Sequence, residues 1–192
     1  VHPVNLRERA QFEPAFLKLS PNGRMPAIVD PDGPGGEPIS IFESGAILQY
    51  LGDKTGKFYP ADRRERTEVE QWLYWQMANL GPMVGQAAHF RNYKADKIEY
   101  AVKRYTDEVV RLYGVMEGRL ADRDFLAGDY SIADMACWPW MRGYRAYGIE
   151  MTDFPHVRAW FKRVGGRPAV QSAANVGKDQ FIESQKRAQG SI

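Results

Sequence analysis

Hydrophobic positions change their period along the chain. In the first fifty or so residues the apolar stretches are short: Ala27 to Val29 and Ile39 to Phe42, separated by the turn-formers Pro31 to Pro38 (PDGPGGEP). Two short runs flanking a Pro/Gly cluster predict a β-hairpin. Ahead of it, Phe12, Ala15, Phe16 and Leu19 recur at helical spacing until Pro21-Asn22-Gly23 stops them, and after it Ser44 to Leu51 (SGAILQYL) predicts another helix. With a strand at about Val1 to Leu6, the first part reads strand, helix, strand, strand, helix. Beyond Phe58-Tyr59-Pro60 the pattern becomes that of long amphipathic helices. Val69, Trp72, Leu73, Gln76, Met77 and Leu80 mark one face, and Ile98, Val102, Tyr105, Val109, Leu112, Met116 and Leu120 another. Further helices are expected from Ser131, from Pro155 to Val164 and after Pro168, with the polar stretch Gly177 to Ile192 fraying or draping.

The segment Asp53 to Asp62, containing Gly and Pro, is the natural linker. The fold class is therefore α+β, with a small mixed domain over residues 1–53 and an all-helical domain over residues 62–192. At 192 residues with 44% hydrophobic content the chain can fill a core without staples. Charged residues make up 26%, with a formal net charge of only +2, and acids and bases alternate in stretches such as Arg63 to Glu70 (RRERTEVE). Such mixing describes solvated helix faces and argues against a nucleic-acid binder, which concentrates Lys and Arg without compensating acids. One cysteine, Cys137, excludes an internal disulfide framework and a CxxC redox pair, and the setting reads as cytoplasmic. His2, His89 and His156 are scattered, so no metal site is expected. No apolar run reaches the roughly 18 to 20 residues of a membrane span.

Ser131-Ile132-Ala133-Asp134 has the spacing of a capping box opening an apolar helix, Met135 to Trp140 (MACWPW). Among large apolar side chains the Asp134 carboxylate needs hydrogen bonds, which the cap supplies. Ser131 and Asp134 are thus read as structural. Pro139 inside that helix removes one backbone bond and should kink it. Arg104 lies beside the apolar face of its helix and can pair with Glu108, four residues on.

This capping box, the strand entry Asn22 to Asp30 (NGRMPAIVD) and Phe42 to Ile47 (FESGAI) occur in the order seen in cytosolic glutathione transferases, which the chain resembles from Val1 to about Ala174. Gln11-Phe12, Gly81-Pro82-Met83, Tyr100 to Tyr105 (YAVKRY) and Cys137-Trp138-Pro139-Trp140 bring the resemblance closest to the bacterial Nu class, whose members resemble glutathione-dependent disulfide-bond reductases. The resemblance implies an incomplete thioredoxin-like domain followed by the all-helical domain, with glutathione as cosubstrate and a homodimeric assembly. The family's first strand, first helix and the loop between them have no counterpart before Val1. That loop carries the residue lying against the glutathione sulfur, so the chain reads as either a fragment or the ordered remainder of a longer protein, and its catalytic residue is unknown.

The same resemblance assigns roles to residues that alone would read as ordinary. Met25-Pro26 becomes a cis peptide that lets the Met25 N–H and C=O pair with the cysteinyl backbone of glutathione, where otherwise Pro26 is a strand-start proline. Glu43 and Ser44, by themselves a helix cap, become partners of the γ-glutamyl ammonium and carboxylate at a helix N-terminus. Gln11 and Arg24 become candidates for the glycyl carboxylate or a second peptide, and Arg104 for the substrate. His89, Phe90, Tyr93, Trp138 and Trp140 either line a second, hydrophobic pocket or fill the core. Three functions follow: reduction of a small disulfide through the thiol of bound glutathione, conjugation of glutathione to an electrophile, or glutathione binding without turnover.

Overall fold

The computed structural model describes residues 1–93 and 97–177, and the expectation for the polar C-terminal stretch lies outside these from residue 178 on. By its internal contacts the chain forms two compact units, Val1–Ser44 together with the residues from Gly165 onward, and Gly45–Val164.

The first unit holds the hairpin. β1 (Ala27–Asp30) pairs antiparallel with β2 (Ile39–Phe42), and these are the two strands of the sheet among the described residues. The intervening loop closes on Gly33, whose N–H donates to the Glu37 carbonyl at 3.1 Å. The strand expected at Val1 to Leu6 is not formed. Pro3 has no N–H to give a ladder, and the Asn5 side chain accepts the Arg7 N–H at 3.1 Å, folding the backbone into turns that continue through Arg9. The helix expected across Phe12 to Leu19 is split into a 3₁₀ turn (Ala10–Phe12) and the four-residue α1 (Pro14–Leu17). Glu13 between them is extended at φ −66° and ψ 143°, the conformation that the ring of a following proline imposes.

α2 (Ser44–Thr55) leads into the second unit, which is all helix and tight turns: α3 (Arg63–Trp75), α4 (Gly81–Ala88), α5 (Glu99–Arg119), α6 (Ile132–Met141) and α7 (Pro155–Gly165). α8 (Pro168–Ala173) follows in the first unit. α3 and α4 are joined by a π-helical turn, Gln76–Leu80, and a second one, His89–Tyr93, follows α4. The sequence pattern carries no sign of these, because a π-turn inserts one residue without breaking the apolar face. The helical faces bury as their spacing predicts: Val69, Leu73, Leu80, Val109, Leu112 and Met116 are shut from solvent. Ile98 is the exception, 45% exposed and extended at the N-cap of α5. Tyr113, which the periodicity passed over, is fully buried. Pro139 falls in the last turn of α6, where the helix ends two residues later at Met141.

The capping box forms. The Ser131 hydroxyl accepts the Ala133 N–H at 3.3 Å, and the Asp134 carboxylate accepts the Ser131 N–H at 3.0 Å. Asp134 is fully buried and also accepts the Leu126 N–H at 3.1 Å and the Trp160 indole N–H at 2.7 Å, so one carboxylate ties together the turn before α6, α6 itself and α7. Burial raises its pKa above the ordinary carboxylate value, against the pull of these donors. α3 is capped by Asp62, which accepts from the N–H groups of Arg64 and Glu65 at 3.0 Å each. The start of α7 is capped from α5, where Glu117 accepts the His156 and Val157 N–H groups at 3.1 and 2.9 Å.

Asp134→Ala removes the acceptor for three buried N–H donors and should cost about 3 kcal/mol, a fall in melting temperature of about 6–12 °C for a chain of this length. Trp160→Phe, which loses one donor, should cost about 1 kcal/mol. Because the folded protein holds the Asp134 proton more tightly than the unfolded chain does, this group's contribution to stability declines as pH rises from about 4 through its raised value. Thermal melts of wild type and Asp134→Asn should therefore draw together over that range.

Candidate functional site

The hairpin register fixes where the candidate residues of the first unit lie. Ala27 stands opposite Phe42 as the last pair of the ladder. Continuing that register by one residue sets Pro26 opposite Glu43, so the segments Met25-Pro26 and Glu43-Ser44 leave the hairpin at the same end. The Met25–Pro26 peptide bond is cis.

The approach to that end is held by a residue that sequence reasoning missed. Ser20 is buried, and its hydroxyl donates to the Arg24 carbonyl at 2.7 Å while accepting the Arg24 N–H at 3.4 Å. The turn closes through the Gly23 N–H to the Ser20 carbonyl at 2.9 Å. Gly23 adopts φ +61°, and a Cβ there would meet the Phe12 ring at 3.0 Å and the Gln11 carbonyl at 3.3 Å. A bare glycine thus lets Gln11-Phe12 close on the residue before Arg24. Gln11, Arg24, Met25 and Pro26 form one continuous neighbourhood, and the sequence carried no signal for the buried hydroxyl that holds it. The Arg24 guanidinium gives one N–H to the Gly23 carbonyl at 3.1 Å and otherwise faces solvent.

Glu43 joins β2 to α2 in the left-handed region, at φ +68°. Left-handed backbone costs a residue with a side chain about 1 kcal/mol, and such strain persists where the surrounding structure needs it. Here it turns the chain from the strand directly into a helix whose first residue is Ser44. Ser44, with Glu43, thus leaves the hairpin at the end where Met25 and Pro26 lie.

In the second unit Arg104 is exposed on α5. The pairing expected with Glu108 does not form. Glu108 instead takes Arg111 in a two-pronged bond of 2.7 and 2.8 Å, three residues on, because the guanidinium fork matches a carboxylate from that position. Arg104 has no ion-pair partner among the described residues. Of the aromatic candidates, Trp138 donates its indole N–H to the Phe161 carbonyl at 3.0 Å and stacks on that ring, which makes it a packing residue. Phe90 stacks on Tyr105, His89 meets Phe90 edge-on, and Trp140 is 40% exposed. The side chain of Tyr93 lies outside the described residues. Cys137 is fully buried, and burial pushes its thiol well above the ordinary value.

A surface cavity of about 410 Å³ lies in the second unit, lined by Asp53, Phe58, Tyr59, Arg66 and Tyr130 among others; of the candidate residues only Ser131 borders it. Among the described residues no three His, Cys, Asp or Glu side chains come together as a metal site, and no helix is long and apolar enough to cross a membrane.

A thioredoxin-like first part and a helical second part, with this hairpin end between strand and helix, define a class, and comparison with known proteins identifies it. Residues 1–54 match the family model for the glutathione S-transferase N-terminal domain, and residues 77–168 that for the C-terminal domain. The chain belongs to the glutathione transferase family. It is 48% identical over 172 residues to the disulfide-bond oxidoreductase YfcG of Escherichia coli, an alignment covering 88% of this chain and 80% of that protein. It is 40% identical over 183 residues to the disulfide-bond oxidoreductase YghU of the same organism, covering 91% of this chain and 63% of that one. A crystal structure of a glutathione transferase from Burkholderia graminis, with two glutathione molecules bound per subunit, superposes with a TM-score of 0.87 at 41% identity and covers 92% of this chain and 77% of that one.

If the left-handed Glu43 is kept for what its side chain does, Glu43→Gly should leave the fold unharmed or stabilise it by up to about 1 kcal/mol while weakening ligand binding. Melting curves and glutathione titration of the same variant test both halves.

Proposed function

We propose that this protein is a glutathione-dependent disulfide-bond reductase that acts through the thiol of bound glutathione. The observation carrying the proposal is the burial of Cys137: the one cysteine of the chain is enclosed and its thiol is held protonated, so it is not a competent nucleophile. The attacking sulfur is then that of glutathione, in keeping with relatives named as disulfide-bond oxidoreductases and a structural neighbour binding two glutathione molecules.

In this reading residues 1–53 form the glutathione-binding domain and residues 62–192 the helical one. Met25 offers its N–H and C=O to the cysteinyl backbone of glutathione as an added strand would. Ser44, at the start of α2, takes the γ-glutamyl carboxylate through its hydroxyl and the helix N-terminus, and Glu43 takes the ammonium. Gln11 and Arg24 serve the glycyl carboxylate, and Arg104 a carboxylate of the second peptide. A glutathione thiolate attacks one sulfur of the disulfide RSSR, forming the mixed disulfide and releasing RS⁻. A second thiolate attacks the glutathione sulfur of that mixed disulfide, giving glutathione disulfide and a second RS⁻, each RS⁻ taking up the proton that a glutathione thiol lost. The protein supplies position and charge. The cytoplasm, where glutathione is kept as the thiol, and a homodimeric state complete the proposal.

Ser44→Ala and Glu43→Gln should each raise the glutathione dissociation constant about 10- to 100-fold, the range of one charge-assisted hydrogen bond. In turnover with hydroxyethyl disulfide, Cys137→Ala should retain activity and Arg104→Ala should lose most of it. Loss of activity in a folded Cys137→Ala would overturn the mechanism. Efficient conjugation of a chlorinated aromatic with negligible disulfide reduction would make the protein a conjugating transferase, and binding without turnover of either substrate a non-catalytic member of the family.

A further inference from the structure

The segment that leads into the hairpin is locked by one hydroxyl. Ser20 is 1% exposed and is itself anchored just past α1, where its N–H donates to the Phe16 carbonyl at 2.9 Å. A buried hydroxyl is costly unless it is hydrogen-bonded, and among the described residues Arg24 is its one partner. It holds both backbone groups of that residue, donating to the carbonyl at 2.7 Å and accepting the N–H at 3.4 Å. The turn between the two closes through the Gly23 N–H on the Ser20 carbonyl at 2.9 Å. The Arg24 carbonyl shares a peptide plane with the Met25 N–H, and that peptide is trans. In a trans peptide the C=O and the N–H point in opposite directions. Gripping the Arg24 carbonyl therefore aims the Met25 N–H away from Ser20. Met25 is 45% exposed, and its N–H has no partner among the described residues.

We infer that Ser20 is a positioning residue for glutathione: by holding the Arg24 carbonyl it sets the direction in which the Met25 N–H meets the ligand. This rests on the reading of Met25 as the partner of the cysteinyl backbone. The physical argument is one of direction. An N–H···O bond weakens steeply once its angle falls below about 120°, so a strand-like pairing needs its N–H aimed as well as present. The plane that carries the Met25 N–H turns about the two single bonds flanking it, one in Arg24 and one in Met25. Ser20 stops that rotation from the carbonyl end, on the side of the peptide opposite the ligand. It touches no ligand itself, and its hydroxyl acts through the backbone of the next residues.

Glutathione titration by calorimetry and amide exchange by NMR, both on the whole chain, test the inference. In wild type, saturating glutathione should slow exchange at the Met25 amide. Ser20→Ala should raise the dissociation constant about fivefold, the range of one hydrogen bond, with a melting temperature about 2–4 °C lower. Its Met25 amide should keep the unliganded exchange rate even when glutathione saturates the protein. Ser20→Cys, close in size but with only a weak S–H donor, should repeat both effects, and it carries the test should Ser20→Ala not fold. A purely structural role would lower the melting temperature and still leave the Met25 amide slowed by glutathione. That result, or wild-type affinity in either variant, would overturn the positioning role and leave Met25 assigned to the ligand. Glutathione binding to wild type without slowing the Met25 amide would remove the Met25 assignment and this inference with it.

Discussion

Every helix begins with N–H groups that have no acceptor inside the helix, and the molecule is organised by how each start is met. Asp62 meets that of α3 from within its own turn. Glu117 reaches the start of α7 from the last turn of the chain's longest described helix, α5, and so joins elements about forty positions apart. At α6 the demand is met by Ser131 and by Asp134, whose carboxylate goes further and gathers Leu126 and Trp160 to itself. A buried carboxylate surrounded by donors is costly to disturb, because removing it leaves several buried N–H groups unpaired at once. The start of α2 is the place where our proposal brings in an acceptor from outside, the carboxylate of glutathione.

In our proposal that arrangement couples stability to function through α2. The strained Glu43 delivers the chain from β2 straight into Ser44, and the hairpin register brings Met25-Pro26 to the same end. The rest of the helix, through Gly45, Gln49 and Gly52, is built into the helical unit. In our proposal glutathione is held at Ser44, the first residue of a helix that packs further along on Tyr59 and Met77.

How much of this was legible in the sequence follows the range of the forces involved. Local signals worked: the Pro/Gly cluster between Ala27–Val29 and Ile39–Phe42 is the hairpin loop, the Ser131–Asp134 spacing is the capping box, and the helical faces of Leu73 and Leu112 are buried. Two local signals were outweighed by others in plain view, Pro14 splitting the first helix and Pro3 with Asn5 dissolving the first strand. Features set by tertiary contact, such as the third partner of Asp134 on α7, left no periodic trace, nor did the π-turns, while the preference of Glu108 for Arg111 over Arg104 is a choice between two bases both at helical spacing. The candidate ligand residues were named through family resemblance rather than periodicity. The buried Ser20 and the left-handed backbone of Glu43 became visible only in the fold.

We propose that glutathione is held by the first turn of α2, and backbone hydrogen exchange measures that turn directly. In the absence of ligand the amides of Gly45 and Ala46, in the first turn of α2, should exchange faster than those in the middle of the same helix, because first-turn N–H groups precede the helix's own hydrogen-bond ladder. Saturating glutathione should slow these two selectively within that helix, while the amides of α6, held by Ser131 and Asp134, keep their rates. Protection appearing elsewhere in the chain with the first turn of α2 unchanged would contradict the account.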